Sequence, residues 1–181
     1  LNKAAITGFD YTQISERLRN AWPTDTAQIH VYEDAQRCAT LFREYCLQNN
    51  LLDYSLQVEV FRRNLWPSLL CREYLQNTYR HLIFDNIEED TPVAHDIVSE
   101  WLPELASALL IYDHEAGYRR FLGADPDHAL LLRERCDQQV LFEESLVSAP
   151  AVQALSLGLG DKINHARQPL PEQDPRPALI Y

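Results

Sequence analysis

The chain has 181 residues, of which 46% are hydrophobic, and its formal net charge is −11. The length and the hydrophobic content suit one domain with a buried core, with or without an appendage. The negative charge argues against binding of nucleic acid by this segment alone, because phosphate contacts need clustered Lys and Arg. It also argues against binding to an anionic membrane surface. No run approaches the length of a membrane span, and the N-terminus lacks a signal-peptide pattern, so we expect no membrane partner. The chain begins with Leu and contains no Met, and we expect it to be a fragment of a longer protein.

The first half of the chain is predicted to be helical. Apolar residues recur at helical spacing over residues 9–22, where Pro23 ends the pattern, and over residues 33–49. Two further helices are predicted over residues 53–64 and 67–77, whereas residues 27–32 are ambiguous. The residues expected to face inward are Ala35, Cys38, Leu41, Phe42, Tyr45 and Cys46 in the second helix and Leu69, Leu70, Tyr74 and Leu75 in the fourth.

The four cysteines, Cys38, Cys46, Cys71 and Cys136, have spacings that match no zinc-binding pattern. Cys38 and Cys46 lie on the apolar face predicted for residues 33–49, where a thiol behaves as a small hydrophobe. We therefore expect reduced thiols in a cytoplasmic protein, with structural burial favoured over a redox role.

Two short apolar runs predict the strands of a parallel sheet. Residues 81–84 and 109–112 are too short for buried helices and show no alternation, which indicates central strands covered on both faces. Between them, Thr91-Pro92 is a helix start, with Thr as the cap and Pro where no N–H is needed. The strands and this crossover helix predict a right-handed βαβ unit. The helix residues expected to be buried are Val93, Ile97, Val98, Trp101, Leu102 and Leu105.

An aspartate follows each predicted strand, Asp85 after the first and Asp113 after the second. Open α/β sheets bind ligands beyond the carboxyl ends of their strands, so two neighbouring acids there indicate a sheet of the nucleotide-binding kind. The alternative is that each aspartate only caps the next turn. The run Glu88-Glu89-Asp90 allows a metal site beside Asp85 or, more simply, a solvated loop at a helix N-terminus, where acids are favoured.

The chain beyond the second strand carries weaker signals. Asp125-Pro126 opens a predicted helix that reaches about residue 136. Residues 140–142 are a candidate third strand. Residues 148–157 predict a short helix that Gly158 and Gly160 end.

Residues 164–177 contain four prolines beside polar residues and predict an extended connector. Residues 178–181 turn apolar again, as if a further strand began there. The predicted organisation is a helical part over residues 1–78, an α/β part over residues 79–163 and a Pro-rich connector over residues 164–181 towards a second domain.

These elements resemble the superfamily 1 DNA helicases of the UvrD/Rep type. The family's second motif is an apolar strand ending Asp-Glu-x-x-Asp, with Gln before the last Asp, and residues 79–89, YRHLIFDNIEE, align with it without a gap. The third motif reads Gly-Asp-x-x-Gln-x-Ile-Tyr-x-Phe-x-Gly-Ala, and residues 112–124, YDHEAGYRRFLGA, match its length and keep the Asp, the Phe and the closing Gly-Ala. Two further landmarks are Leu52-Asp53-Tyr54, similar to the family's Leu-Asp-Phe-Asp, and Ser145-Leu146-Val147-Ser148, in place of its Asn-Tyr-Arg-Ser.

The resemblance implies a partial RecA-like (P-loop NTPase-like) parallel sheet with a helical N-terminal half. In an active member, the first Asp of the second motif, here Asp85, holds the Mg²⁺ of MgATP through water, and the next Glu orients the attacking water. Asn86 stands at that Glu position, and an amide cannot accept a proton. Glu88 replaces the Gln of the second motif, Glu89 stands at its last Asp, and Ala116 replaces the phosphate-sensing Gln of the third.

Two further departures concern the third and fourth motifs. Arg119 replaces a Tyr, and Val147 replaces the Arg that contacts the γ-phosphate. None of the five glycines precedes Lys, so this chain contains no G-x-x-x-x-G-K-[ST] phosphate loop. In a complete family member that loop would lie before Leu1.

The resemblance with these departures implies a degenerate helicase domain without ATP hydrolysis. Such a domain serves as a structural or binding part of a DNA replication, repair or recombination protein, next to protein partners or the remaining domains of a longer chain. It needs no cofactor of its own, and MgATP enters only if the parent motor is active. The alternatives are an active ATP-dependent DNA helicase whose phosphate loop lies outside this chain, and a helical protein-interaction module whose similarity is accidental.

Tyr118, Arg119, Arg120 and Phe121 form a cluster of basic and aromatic residues. In the family this neighbourhood faces single-stranded DNA, where aromatic rings stack on bases and Arg contacts phosphate. The resemblance therefore implies single-stranded DNA as a candidate partner. The alternative is a surface turn in an acidic protein.

The histidines carry no recognisable site. His95, His114 and His128 have no Cys or carboxylate partner at ligand spacing, and we predict that all three lie at the surface. No Ser lies in a G-x-S-x-G elbow, and no local pattern favours Cys–His catalysis.

Overall fold

A computed structural model of the protein describes residues 1–23, 26–114, 116–142 and 148–164. The chain divides into two compact units, Leu1–Asp137 and Gln138–Tyr181. The first unit combines many helices with a small parallel sheet, so it has the mixed α/β character that the sequence predicts. Its helices and strands are α1 (Asn2–Thr7), α2 (Ile14–Ala21), α3 (Ile29–Gln48), α4 (Tyr54–Val60), α5 (Leu69–Thr78), β1 (His81–Phe84), α6 (Pro92–Trp101), β2 (Ser107–Leu110) and α7 (Pro126–Leu130). Short 3-10 turns cover Tyr11–Gln13, Thr26–Gln28, Ile87–Glu89, Leu102–Glu104, Tyr118–Leu122 and Leu131–Arg135, and a π-helical turn covers Phe61–Leu65.

The first helices differ from the single helix predicted over residues 9–22. A 3-10 turn comes first, because the Asp10 carboxylate accepts the Thr12 N–H at 2.9 Å, and α2 follows it. Helix α1 lies outside every helix predicted from the sequence, and it ends at Gly8, whose φ of 82° suits a glycine C-cap.

Helix α3 buries a different face from the one that its apolar stripe predicts. It begins at Ile29, earlier than the predicted residue 33. Its buried residues are Tyr32, Ala39, Arg43 and Cys46, which recur at helical spacing. Of the predicted inward residues, Cys46 is buried and Ala35 is partly buried, whereas Cys38, Leu41, Phe42 and Tyr45 are exposed. The helix is therefore rotated away from the orientation that apolar residues alone would give it.

The cause of this rotation is Arg43, which is buried against α4. Its guanidinium forms an ion pair with Glu59 at 3.1 Å and donates a hydrogen bond to Ser55 Oγ at 3.0 Å. It also lies 5.1 Å from the centroid of the Tyr11 ring. A buried charge needs its partners, so the face that carries Arg43 must point inward.

The positions of the helices predicted over residues 53–64 and 67–77 are confirmed by α4 with the π-helical turn and by α5. The apolar face of α5, however, points to solvent. Leu69, Leu70 and Tyr74 are exposed, and Leu75 is partly buried. Arg72 fixes this orientation, because its guanidinium stacks 4.3 Å from the centroid of the buried Trp66 ring and pairs with Glu104.

Strands β1 and β2 pair in parallel and form a two-stranded sheet, with His81 opposite Ser107 and Phe84 opposite Leu110. The predicted pairing of neighbouring strands is thus confirmed, and α6 connects them. Strand β2 begins and ends two residues earlier than the predicted residues 109–112. One more bond, from Ile111 N–H to the Phe84 carbonyl at 2.9 Å, extends the pairing beyond it.

The prediction that both faces of the sheet are covered is wrong for the part of the chain that the structure describes. Ile83 is 73% exposed and Leu109 is 53% exposed. The opposite face packs against the core. The side chains that meet there are Leu82, Phe84 and Leu110 from the strands and Ile87, Val98, Ala129 and Leu132 from the turns and helices. The unit therefore covers only one face of the sheet, because α6 and the segment around α7 lie on that side.

The segment after β2 follows its local signals only in part. The Asp125 carboxylate accepts the His128 N–H at 3.0 Å and caps α7, with Pro126 in the first turn, as predicted. Residues 140–142, a candidate third strand, lie outside regular structure and are exposed.

In the second unit, α8 (Pro150–Asn164) continues through Gly158 and Gly160, so the predicted stop at these glycines is wrong. Neither glycine has the positive φ of a helix C-cap. The predicted connector after residue 164 and the apolar residues 178–181 lie outside the described residues. Among the residues that are described, no helix is both long and apolar enough to cross a membrane.

We expect Arg43→Met to lower the free energy of unfolding by roughly 3 kcal/mol, because it removes one partner of a buried ion pair. The value lies at the low end of the usual range, since Glu59 keeps a second partner in Arg63 at 2.7 Å. The measurement is denaturant unfolding at neutral pH. The matched control is Arg37→Met, an exposed arginine of the same helix, which should change the value by less than about 0.5 kcal/mol. Equal effects of the two substitutions would contradict the role given to Arg43.

Candidate functional site

The candidate site begins where β1 ends. Asp85 follows the strand, is exposed, and accepts the Asn86 N–H through Oδ1 at 2.9 Å. Asn86 has φ 52° and ψ 47°, the left-handed region that Asn tolerates better than most residues. The chain reverses there into the 3-10 turn Ile87–Glu89. We call residues 85–90 the acid turn.

Glu88 is buried, at 1% exposed, although the sequence predicts a solvated acidic run. Its Oε2 accepts the backbone N–H of Asp113 at 3.1 Å. Its Oε1 is buried and has no hydrogen-bond partner among the described residues. A buried carboxylate that binds backbone is a structural connection, so Glu88 joins the acid turn to the chain that leaves β2.

Glu89 makes the second connection. Its Oε1 accepts the N–H groups of Gly117 at 3.0 Å and Tyr118 at 2.9 Å, and its Oε2 accepts that of Arg119 at 3.1 Å. Burial raises the pKa of this carboxyl, but the three N–H groups and the Arg119 charge outweigh it, so the pKa of Glu89 lies below its ordinary value. The ionised carboxylate therefore fastens the start of the 3-10 turn Tyr118–Leu122.

We call Tyr118–Leu122 the basic–aromatic turn, and it presents the predicted cluster to solvent. Tyr118 is 80% exposed and Phe121 is 74% exposed. Both arginines are exposed as well, although each has an acid nearby. Arg119 Nε lies 3.7 Å from Glu89 Oε2, and Arg120 Nη2 lies 3.5 Å from Asp127 Oδ2. Two aromatic faces and two cations thus share one short turn, which is suited to a flat, negatively charged ligand.

Two glycines bound the basic–aromatic turn. Gly117 has φ 95° and Gly123 has φ 112°, values that side chains other than glycine rarely adopt. A Cβ on Gly123 would collide with Ile6 of α1. The turn is therefore fixed at both ends by backbone geometry and at its start by Glu89.

The remaining residues of the predicted nucleotide site contribute little polar chemistry. Asp113 is exposed and lies beyond the end of β2, with Glu88 bound to its N–H. Ala116 is partly buried, and its N–H lies 3.4 Å from the Asp113 carbonyl oxygen. A methyl group cannot bind a phosphate, so this position holds no sensor. Val147 and the neighbouring Ser145 and Leu146 lie outside the described residues.

The described residues contain no group of three or more His, Cys, Asp or Glu side chains placed to hold a metal ion. The Mg²⁺ ligand predicted at Asp85 therefore has no cluster of protein ligands beside it in that part of the chain. Mg²⁺ often binds through one or two carboxylates, waters and substrate phosphates, so Asp85 could still contribute a single contact.

The prediction that three histidines lie at the surface is wrong for His95, which is 1% exposed. Its Nε2 lies 2.7 Å from the Ile87 carbonyl oxygen, and its Nδ1 lies 3.3 Å from Nδ1 of His128. A sequence signal existed, since His95 precedes Val98 by three residues, a helical spacing, and both are buried residues of α6. The histidine pair thus lies directly behind the acid turn.

The four cysteines are free thiols, and none forms a disulfide. Cys46 is buried, Cys71 and Cys136 are partly buried, and Cys38 is exposed. The predicted burial of Cys38 on the apolar face is therefore wrong, because the rotation of α3 turns that face outward.

Comparison with models of protein families finds no match to this chain, and a search among curated proteins finds no matching sequence. The helicase resemblance therefore stays a prediction, and so do the functional roles that it implies. A function for this chain has to be inferred from the geometry of the acid turn and the basic–aromatic turn.

We expect Glu89→Gln to lower the free energy of unfolding at pH 7, because an amide oxygen is a weaker acceptor and its NH₂ would face backbone N–H groups. The folded-state pKa of Glu89 is lowered, so its stabilisation is full above about pH 4.5 and is lost as the pH falls through the folded value. The difference between wild type and variant should therefore shrink at pH 3.

The measurement is denaturant unfolding at both pH values. Glu44→Gln, at an exposed glutamate of α3, is the matched control and should behave like wild type. A wild-type-to-variant difference that is the same at pH 7 and pH 3 would show that the ionised carboxylate is not what holds the turn.

Proposed function

We propose that this chain is a degenerate UvrD/Rep-like helicase domain with a partial RecA-like sheet, which does not hydrolyse ATP and serves as a structural or binding part of a DNA-processing protein. One observation carries the proposal: the acids that follow β1 bind the backbone of the chain that follows β2. Glu88 and Glu89 make these bonds at 2.9–3.1 Å. Acids engaged in this way hold two loops in place, and the two aspartates at the ends of the acid turn each accept the N–H of the next residue, Asp85 from Asn86 and Asp90 from Thr91.

The chemistry of the acid turn supports the absence of hydrolysis. Attack of water on the γ-phosphate needs a group that orients the water and accepts its proton. Asn86 cannot accept a proton, which costs roughly 10²–10⁴ in rate. Ala116 offers no polar atom to a phosphate. The Asp85 carboxylate accepts a hydrogen bond from its own turn.

We expect the full-length protein to release no phosphate from MgATP above the rate of a buffer control, with or without single-stranded DNA. Asn86→Glu should not restore turnover, because the left-handed backbone at this position disfavours Glu and the other polar groups are still missing. The measurement is a steady-state phosphate-release assay.

The matched variant for this assay is Asp85→Ala. DNA-stimulated phosphate release that Asp85→Ala abolishes would establish the alternative, an active ATP-dependent helicase. Release that survives this substitution would point to a contaminating ATPase and leaves the proposed loss of hydrolysis in place.

The basic–aromatic turn supports single-stranded DNA as the ligand of the binding part. Tyr118 and Phe121 project into solvent beside Arg119 and Arg120. Aromatic rings stack on bases of any sequence, and arginines contact the phosphates between them. The net charge of −11 opposes such binding, so the affinity should be modest and should fall steeply with salt.

We expect the full-length protein to bind a fluorescent oligothymidylate at low salt, and Tyr118→Ala and Phe121→Ala each to weaken binding by about 1–3 kcal/mol, or roughly 5- to 150-fold. The control is Tyr74→Ala, at an exposed tyrosine of α5, which should leave binding unchanged. Arg120→Ala should also reduce the slope of log K against log salt by about 1. Fluorescence anisotropy across a salt series measures all three effects.

The alternative of a helical protein-interaction module has one observation in its favour. Two helices of the first unit expose apolar side chains that the unit itself does not cover. These are Leu41, Phe42 and Tyr45 on α3 and Leu69, Leu70 and Tyr74 on α5. Failure to bind DNA at any salt concentration, with the protein folded, would favour this alternative over the DNA-binding proposal.

A further inference from the structure

We propose that His95 and His128 form a pH-sensitive latch, which holds α6, α7 and the acid turn together when the pair carries at most one positive charge and releases them when both rings are charged. The two imidazoles stack with centroids 5.5 Å apart and ring planes 23° apart. His95 comes from α6 and His128 from α7. This inference is independent of the proposed function, because it concerns how the fold responds to pH.

The hydrogen bonds assign the protons of the neutral pair. The Ile87 carbonyl can only accept, so Nε2 of His95 carries the hydrogen in this bond of 2.7 Å. Neutral His95 then has a bare Nδ1, which accepts. The Nδ1 of His128, 3.3 Å away, must carry the hydrogen and donate it. One chain of hydrogen bonds thus runs from α7 through α6 to the acid turn.

The first positive charge has a natural place on His128. The ring is partly exposed, and its Nε2 lies 3.5 Å from Asp96 Oδ1. A proton on that nitrogen faces a carboxylate and leaves the bond from Nδ1 to His95 unchanged. Asp96 also has Arg62 at 3.9 Å, which limits how strongly it attracts the proton.

A second proton has no acceptable place. It would go to Nδ1 of His95 and set two N–H groups against each other across 3.3 Å, inside the unit. Burial lowers the pKa of His95, and the charge of His128 lowers it further. The Ile87 carbonyl and the carboxylates of Asp90 and Asp125 act in the opposite direction but do not outweigh burial.

The sign of the pH dependence follows from this lowered pKa. The unfolded chain binds the His95 proton at its ordinary value of about 6.5, and the folded chain binds it only at lower pH. The stabilisation by the neutral ring is therefore full above about pH 6.5 and is lost as the pH falls towards the folded value. The elements to loosen first are those that the pair joins: α7, the start of α6 and the Ile87–Glu89 turn.

The test is a histidine ¹⁵N NMR titration of the full chain from pH 8 to pH 5, with signals assigned by His→Gln variants. At pH 7.5 His95 should show a protonated Nε2 and a bare Nδ1, and its midpoint should lie below the ordinary histidine value of about 6.5. Backbone amide signals of Ile87–Glu89 and of residues 127–130 should shift or broaden with the His95 midpoint. A His95 midpoint at or above about 6.5, or amide signals that do not change with it, would overturn the latch.

His128→Asn tests the coupling without relying on a variant that removes the buried ring. The Asn amide can donate to Nδ1 of His95 but cannot become charged, so the His95 midpoint should shift upward. An unchanged midpoint would show that the rings do not interact and would overturn the proposal. His30→Gln is the matched control and should leave the His95 titration as in wild type.

Two nitrogen atoms 3.3 Å apart could also bind one metal ion, and this possibility is tested in the same sample. Addition of Zn²⁺ at pH 7.5 should leave the His95 signals and the melting temperature unchanged. Loss of both histidine signals together with a rise in the melting temperature would replace the latch by a metal site. EDTA should have no effect on the untreated protein.

Discussion

The bonds from Glu88 and Glu89 to the backbone beyond β2 are the connection on which the candidate site depends. Glu88 reaches the Asp113 N–H from inside the unit, and Glu89 gathers three successive N–H groups at its edge. Bonds to ionised acceptors are stronger than those between neutral groups, and a buried carboxylate that loses its partner is costly. The turn after β1 and the chain after β2 therefore hold each other in place, and the basic–aromatic turn takes its position from them.

The sequence allowed the local elements and the strand pairing to be predicted. Asp125-Pro126 and Thr91-Pro92 are helix starts whose effect is confined to one turn, and both helices begin there, although only Asp125 makes the side-chain cap hydrogen bond. The run His81–Phe84 pairs with the run after α6 as expected. A four-residue apolar run, however, says little about how many faces are covered. Ile83 is exposed because α6 and the segment around α7 cover only the opposite face of the sheet.

The errors in the orientation of α3 and α5 and in the burial of Glu88 and His95 share a physical cause, which is that polar side chains decided the packing. Arg43 turns α3, and Arg72 turns α5, each towards partners that are distant in sequence. Glu88 and His95 are buried, and each has a backbone partner there: Glu88 Oε2 accepts the Asp113 N–H, and His95 Nε2 lies 2.7 Å from the Ile87 carbonyl oxygen. Apolar periodicity ranks such residues as exposed. Only the three-dimensional arrangement shows that their hydrogen bonds are available inside.

At Asn86 the backbone conformation and the side-chain chemistry of the acid turn depend on the same residue. At φ 52° a Glu would be strained by about 1 kcal/mol or more, whereas Asn adopts this region readily. On the proposed helicase relationship, the residue that stands in place of the proton acceptor is thus also the residue that suits the turn. In a domain that is only marginally stable, a change of that size matters. On the proposed helicase relationship, a motor with Asn at this position would lack its proton acceptor, whereas a domain whose acids bind backbone has a well-formed turn, and this supports the proposal of a structural role.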